Sequence, residues 1–163
     1  GLQTAHDSTL KLIRRGHTFA DYIKAVEMLS RINARICTHL MCGLPSEQRE
    51  HVAETAREIA DLPIHEVKIH PLLILAGTPL AEMYRQGLVQ ELSLMEYVQQ
   101  VCDIIEILPP EMVIQRVTAE APAHMLIAPS FASHKAKVLS AILDEFHRRG
   151  SRQGESYRRF AKR

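Results

Sequence analysis

The sequence predicts an α/β fold built around a parallel sheet. Helical and strand patterns alternate along most of the chain, with few long loops between them. Alternation at this spacing is typical of β-α-β units, in which a right-handed helical crossover joins neighbouring parallel strands. The chain has 163 residues, of which 46% are hydrophobic, and this is enough for one core. Periodicity leaves open whether the strands curve into a barrel or form an open sheet.

The first elements follow from apolar spacing and end signals. A helix is predicted over residues 7–15, where Gly16 ends it, and a second over residues 18–33, where Thr18 is the N-cap. Apolar residues of the second helix recur at helical spacing, as Phe19, Tyr22, Ile23, Val26 and Leu29. Alternating side chains then predict a strand over residues 35–41.

The later elements continue the alternation. The turn after the first strand ends in Ser46, which is predicted to cap a helix that runs to residue 60. A strand is predicted over residues 66–70. Caps and breaks then predict, in order, a short helix from Thr78 to Gly87, a helix over residues 93–108, a strand over residues 112–117 and a helix over residues 133–149.

Charge and cysteine content narrow the class of protein. The net charge of +1 gives the whole chain no strong attraction to nucleic acid, although the basic end over residues 148–163 is compatible with phosphate contacts. No apolar run reaches the roughly 18 residues of a membrane span. Three cysteines without a C-x-x-C pair predict free thiols and a cytoplasmic location. Because Gly1 begins neither a signal peptide nor a complete reading frame, the chain is expected to be part of a longer one.

The first strand ends in a junction suited to ligand binding. Alternation places Cys37, His39 and Met41 on the face away from the covering helices. Gly43 follows, where backbone can approach a ligand closely, and a helix begins after it. From the residues alone, an ordinary strand–turn–helix junction explains this pattern at least as well.

Three stretches resemble the radical S-adenosylmethionine (SAM) superfamily. Residues 1–4 (GLQT) resemble its fourth barrel strand, residues 10–17 (LKLIRRGH) the region that follows, and residues 38–45 (THLMCGLP) its fifth strand. The stretches LQTAHDSTL, KLIRRGH, CTHL and VKIH resemble the YhcC-like proteins in particular. The Elongator catalytic subunit and the oxygen-independent coproporphyrinogen III oxidases are also similar.

The resemblance covers nearly the whole chain and implies its organisation. Residues 1–90 are expected to form the second half of a partial TIM-type (β/α)6 barrel. Residues 91–150 are expected to form a C-terminal α/β extension, and residues 151–163 a basic, disordered tail.

The resemblance also implies a SAM site. Gln3 matches a glutamine that contacts the ribose, and Arg15 matches an arginine that binds the methionine carboxylate through charge-assisted hydrogen bonds. His39 stands where the coproporphyrinogen oxidases carry an aspartate that binds ribose hydroxyls. Met41 matches an apolar residue that packs on adenine. Ser46 departs from the pattern, since relatives often have Gly at this position.

The second strand adds a candidate substrate site. Val67 and Ile69 are expected to pack against helices, which turns Lys68 and His70 toward the cleft. A basic pair in a cleft is an unusual core filler, so these two residues are predicted to contact the substrate or SAM. His65 is five residues from His70 in the strand, on the opposite side, and no protein-only metal site is predicted.

The cysteine loop that holds the [4Fe–4S] cluster in this superfamily, of the C-x-x-x-C-x-x-C type, does not occur in the sequence. Its three cysteines, Cys37, Cys42 and Cys102, have the wrong spacing. The cluster ligands are therefore expected upstream of Gly1. This chain alone is predicted not to cleave SAM.

The resemblance implies an enzyme that, as the full-length protein, cleaves SAM reductively to a 5′-deoxyadenosyl radical acting on an unknown substrate. Its expected partners are a reductant for the cluster and the substrate, for which the Elongator likeness suggests tRNA. The fragment is expected to self-associate through its unpaired sheet edge. One alternative is a conventional TIM-barrel enzyme fragment that uses His39 and Lys68 as acid and base. A non-catalytic interaction module is the other.

Overall fold

Helices and strands alternate along the chain, as the sequence predicts. The computed structural model describes residues 1–157. Its first elements are, in chain order, α1 (Asp7–Leu12), α2 (Phe19–Arg31), β1 (Cys37–Cys42), α3 (Arg49–Ala60), β2 (Glu66–Pro71) and β3 (Ile74–Leu75). They are followed by α4 (Pro79–Arg85), α5 (Leu94–Ile107), β4 (Val113–Arg116), β5 (Leu126–Ala128), a short 3-10 helix (Ser130–Ser133) and α6 (Lys135–Arg149).

A parallel sheet lies at the centre of the fold. β2 pairs with β1 on one side and with β4 on the other, in parallel orientation. Gln3 adds a parallel bridge to Leu40 on the other side of β1, so four chain segments lie side by side. The predicted α/β fold with a parallel sheet is confirmed, including the prediction that the first two strands are neighbours.

Side chains alternate across β1 and β2 because successive residues of a strand point to opposite faces. Thr38 and Leu40 of β1 are buried, as are Val67 and Ile69 of β2, and the residues between them are only half-buried. The buried face packs against the helices, and the other face is more open. This register agrees with the prediction.

α5 fixes the helical layer to the sheet through Tyr97. The ring of Tyr97 is fully buried and stacks on Phe131 at a centroid distance of 5.4 Å. Its hydroxyl donates to the carbonyl oxygen of Val117 at 2.8 Å, just beyond the end of β4. A buried phenol needs such a partner, because an unsatisfied hydroxyl is costly in an apolar core.

β4 contains a bulge opposite β2. Val67 pairs with Ile114, but the next residue of β2, Lys68, pairs with Arg116. Gln115 is therefore an extra residue in β4. Bulges of this kind change the direction of neighbouring side chains and are common beside binding sites.

Two predicted helix boundaries are wrong, for the same physical reason. α1 ends at Leu12 rather than residue 15, because Arg14 already adopts a left-handed backbone with φ 55°. α3 begins after Gln48 rather than after Ser46. Ser46 itself lies in the left-handed region, with φ 68°, where an L-residue is strained and glycine is favoured.

A small antiparallel sheet lies outside the main one and escaped sequence prediction. β3 pairs with β5, and Ile74 and Ala128 are fully buried beside Ala81 of α4. Strands of two and three residues are too short for alternation to be recognised in a sequence.

The C-terminal segment is ordered further than predicted. We expected disorder over residues 151–163, yet residues 151–157 pack back on α5, where the backbone N–H groups of Gly154 and Ser156 donate to the carbonyl oxygens of Ile105 and Glu106 at 3.2 and 2.8 Å. Arg149 of α6 holds the same region through Asp103 and Glu106 of α5. These contacts satisfy backbone groups at the end of α5, which explains the order. The rest of the predicted tail lies outside the described residues.

Candidate functional site

The open face of the sheet carries polar side chains from successive strands. It holds Gln3 beside β1, His39 and Met41 on β1, and Lys68 and His70 on β2, all of them half-buried. In the strand register, His39 lies opposite Lys68 and Met41 lies opposite His70. Neighbouring strands are about 4.8 Å apart, so these side chains line one continuous surface. The structure thus brings together five of the six predicted site residues.

Gly1 leaves room for the side chains of Gln3 and His39 to approach one another. A β-carbon at Gly1 would lie 2.9 Å from the β-carbon of His39 and 3.2 Å from Nε2 of Gln3. No real β-carbon approaches a neighbour as closely as 2.9 Å, so a side chain here would displace His39. Glycine leaves a small cradle in which the Gln3 amide and the His39 imidazole converge.

Arg116 also belongs to this face, although sequence analysis did not identify it. Its guanidinium donates to Nε2 of His70, at 2.9 Å from Nη2 and 3.3 Å from Nε. The predicted strand over residues 112–117 was found, but its bulge made it impossible to assign faces by counting alternate residues. The position of Arg116, a basic residue near the end of the predicted strand, was the signal in the sequence that could have placed it in the site.

The surroundings of both histidines of the face favour the neutral imidazole over the charged form. Burial lowers the pKa of His70 to about 4, and the positive charge of Arg116 adds to this effect. Burial and the charge of Lys68 also lower the pKa of His39. The two rings lie 5.6 Å apart between centroids. Neutral imidazoles can each donate one hydrogen bond and accept another.

An acidic residue lies at the other end of the face. Glu66, at the start of β2, forms an ion pair with Arg35 and accepts a hydrogen bond from Gln115. Both partners bind its carboxylate directly, so Glu66 is already satisfied. The end of the face that carries His70, Lys68 and Arg116 is therefore left with a net positive charge.

Arg15 lies at the edge of the sheet rather than on its open face. Its Nη2 donates to the carbonyl oxygen of Gly1 at 2.7 Å, and the side chain is exposed. The guanidinium contributes to the positive field that lowers the pKa of His39. Arg15 is thus beside the predicted site, but the structure does not bring it into contact with Gln3 or His39.

The cysteines do not form a metal-binding group. Cys42 and Cys102 are buried, and only Cys37 reaches the open face. Burial raises the pKa of Cys102 to about 12, so its thiol stays protonated. Within residues 1–157, no three histidine, cysteine or acidic side chains are placed to hold a metal ion.

Comparison with known families identifies the family of the chain. Residues 1–59 match the Radical SAM superfamily and residues 64–148 match the Radical_SAM C-terminal domain. The chain belongs to the radical SAM superfamily. The predicted resemblance to YhcC-like and Elongator-type proteins is confirmed, and so is the predicted radical-SAM fold.

Several relatives extend along most of this chain. YtqA of Bacillus subtilis is 43% identical over 98% of the chain, and YhcC of Escherichia coli is 33% identical over 83%. A tRNA uridine(34) acetyltransferase of Methanocaldococcus jannaschii is 30% identical over 78%. The matched region is 49%, 44% and 24% of these relatives, respectively, so the chain spans at most about half of their length.

A solved structure has the same fold. The Elp3 protein of Methanocaldococcus infernus, with residues 1–46 deleted, superposes with a TM-score of 0.82 and 26% sequence identity. The match covers 94% of this chain and 36% of that one. Among the described residues of our chain, no helix has both the length and the apolar character needed to cross a bilayer.

Proposed function

We propose that the open face of the sheet binds SAM and that the longer protein is a radical SAM enzyme. The observation that carries the proposal is the convergence of Gln3 and His39 at Gly1, on the open face of a radical-SAM sheet. With a reduced [4Fe–4S] cluster, SAM supplies a 5′-deoxyadenosyl radical that takes a hydrogen atom from a substrate, and methionine is released. The protein residues provide binding, orientation and the exclusion of water.

The donor set of the face fits SAM. The Gln3 amide and the neutral His39 imidazole can each donate to and accept from the ribose hydroxyls. Met41, next along β1, offers a polarisable thioether for the adenine ring. Arg15 is assigned to the methionine carboxylate, which a guanidinium binds with two parallel hydrogen bonds. To do so, its side chain has to leave the Gly1 carbonyl.

The neighbouring strand is assigned to the substrate. Lys68 and His70 lie on β2, directly opposite His39 and Met41 in the register. A substrate held by these two side chains therefore lies next to SAM, as transfer of a hydrogen atom requires. The substrate itself stays undefined by these contacts.

The described cysteines do not fit the cluster. A [4Fe–4S] cluster needs converging thiolates, whereas Cys42 and Cys102 are buried apart from Cys37. We therefore assign the cluster ligands to the part of the longer protein that this chain does not include, together with the contact for an electron donor. A cytoplasmic location, where thiols stay reduced, accords with the three free cysteines.

Binding and cleavage of SAM test the proposal separately. Titration calorimetry of the chain with SAM is expected to show saturable binding. After anaerobic iron–sulfur reconstitution, dithionite and SAM are expected to give no 5′-deoxyadenosine, since cluster ligands are missing. Absence of SAM binding contradicts the site assignment, and product at enzyme-like rates contradicts the assignment of the cluster to the rest of the protein.

A tRNA substrate is our second proposal, because one relative is named as a tRNA uridine(34) acetyltransferase. Lys11, Arg14 and Arg15 form a short exposed basic group next to the sheet edge. Lys and Arg side chains bind the phosphate backbone in a salt-dependent way. Filter binding of tRNA should weaken steeply as salt rises, and the double change of Lys11 and Arg14 to Gln should weaken it further, with Arg15 kept because it is assigned to SAM. Salt-independent or unchanged binding contradicts the proposal.

A further inference from the structure

We infer that Lys68, Arg116 and His70 form a separate subsite that binds an oxyanionic group of the substrate, either a phosphate or a carboxylate. The inference rests on the proposed function to the extent that SAM is assigned to the Gln3 and His39 side of the same face. It adds a residue, Arg116, and a chemical class of substrate.

The first argument is the placement of two like charges. Lys68 and Arg116 are paired residues of neighbouring strands, so their side chains lie side by side. Like charges directly opposite one another destabilise a sheet. Across residues 1–157 neither of them forms an ion pair. An anionic ligand placed between them removes this repulsion.

The second argument is that the nearest acid is not available. Glu66 lies on the same strand as Lys68, two residues earlier, but its carboxylate is bound by Arg35 and Gln115. The bulge in β4 produces this division of roles. Gln115 reaches the acidic end of the face while the next residue, Arg116, reaches His70.

The third argument is the direction of the hydrogen-bond donors. A guanidinium can only donate, so Nε2 of His70 accepts from Arg116 and the imidazole proton lies on Nδ1. His70 thus adds a donor rather than an acceptor to the group. Arg116, Lys68 and His70 together present hydrogen-bond donors and two positive charges, which suit an oxyanion and repel a cation.

The choice of an oxyanion follows from these groups. Arginine binds carboxylates and phosphates through its planar fork, and lysine adds a mobile point charge. A substrate phosphomonoester, a nucleic-acid phosphodiester and a carboxylate share this chemistry. Three probes distinguish them: inorganic phosphate, dimethyl phosphate and succinate.

NMR titration of the 163-residue chain tests the subsite. We expect the ring signals of His70 to shift saturably with at least one probe, and the strongest binder identifies the anion class. Arg116→Gln and Lys68→Gln should each raise the Kd of that probe at least tenfold. Lys24→Gln, which removes an exposed lysine of α2, should change it less than twofold. No saturable shift, or equal effects of all three changes, overturns the inference.

A final titration separates this inference from the proposed function. With SAM at saturation, the probe should still bind with a Kd within threefold of its value without SAM. Displacement of the probe by SAM means that the cations hold the SAM carboxylate, and the separate subsite is then wrong. If SAM does not bind but the probe binds in an Arg116-dependent manner, the SAM assignment fails and the oxyanion subsite stands.

Discussion

Arg116 donates to Nε2 of His70 at 2.9 Å, which joins β4 to β2 across the open face of the sheet. A guanidinium has no lone pair to offer, so the bond exists only while Nε2 is unprotonated. The contact therefore fixes the tautomer of His70 as well as its position. It also joins a predicted site residue, His70, to one that sequence analysis did not identify.

This contact predicts how His70 responds to pH. Burial and Arg116 lower its pKa to about 4, whereas an unfolded histidine titrates near 6.5. Between these values the unfolded chain binds the proton and the folded chain does not, so stability falls as pH drops through this window. Arg116→Gln should raise the pKa of His70. Imidazole NMR titration measures it, with Arg85→Gln on exposed α4 as a control that leaves it unchanged.

The SAM site predicts a selective loss of affinity. Gln3→Leu and His39→Leu each remove groups assigned to the ribose and should raise the Kd for SAM at least tenfold. Hydrogen bonds of this kind contribute roughly 1 kcal/mol or more when they are buried in a complex. Gln90→Leu, at an exposed position, should leave the Kd unchanged. Calorimetry decides, and an equal loss in all three variants contradicts the assignment.

Ser46 predicts a stabilising substitution. At φ 68° its backbone is strained for any residue with a β-carbon, and Ser46→Gly removes the strain. Because glycine also gains freedom in the unfolded state, the net gain should be up to about 1 kcal/mol. Ser30→Gly, inside α2, should destabilise the chain instead. Urea unfolding measures both changes.

Removal of the buried Tyr97 hydroxyl is expected to lower the free energy of unfolding. Tyr97→Phe keeps the ring against Phe131 but leaves the Val117 carbonyl without its hydrogen bond, which should cost about 1 kcal/mol of unfolding free energy. Tyr84 donates to Glu91 in an exposed part of α4, so Tyr84→Phe should have little effect. Similar losses of unfolding free energy in both variants would show that the buried hydrogen bond contributes no more to stability than the exposed one.

The sheet edges predict self-association of the isolated chain. Residues 72–75 (LLIL) are an apolar stretch, but they are a poor contact surface because Ile74 is fully buried and pairs with β5. β4, an outer strand of its sheet with Val113 47% exposed, is the better candidate. Sedimentation at micromolar concentration should show a dimer that Val113→Lys disrupts and that Ile32→Lys at the C-cap of α2 does not. A monomeric parent chain contradicts this prediction.

Strong periodicity and caps made most elements predictable. Thr18, Thr78 and Ser93 cap their helices as expected, and alternation assigned His39 and Lys68 to the correct face. Caps and alternation depend on neighbouring residues, so they can be recognised in a single sequence. The elements that they predict depend little on contacts with distant parts of the chain.

The features that sequence analysis missed depend on contacts between distant residues or on an irregular backbone such as the β-bulge. The β3–β5 pair joins residues about fifty positions apart and is too short to show a period. Arg116 reached the site through a bulge that shifts the register by one residue. Residues 151–157 are held by contacts with α5, which composition does not reveal.

The bulge adds to β4 one residue, Gln115, that has no partner in β2. A regular strand presents one side chain to a given face for every two residues, whereas here consecutive residues, Gln115 and Arg116, serve two different groups on the same face. Beyond the bulge the alternation resumes with Val117 in the core. Loss of Gln115 therefore leaves the packed side of the strand in place. Gln115 is therefore a position at which the lining of the cleft can change without repacking of the interior.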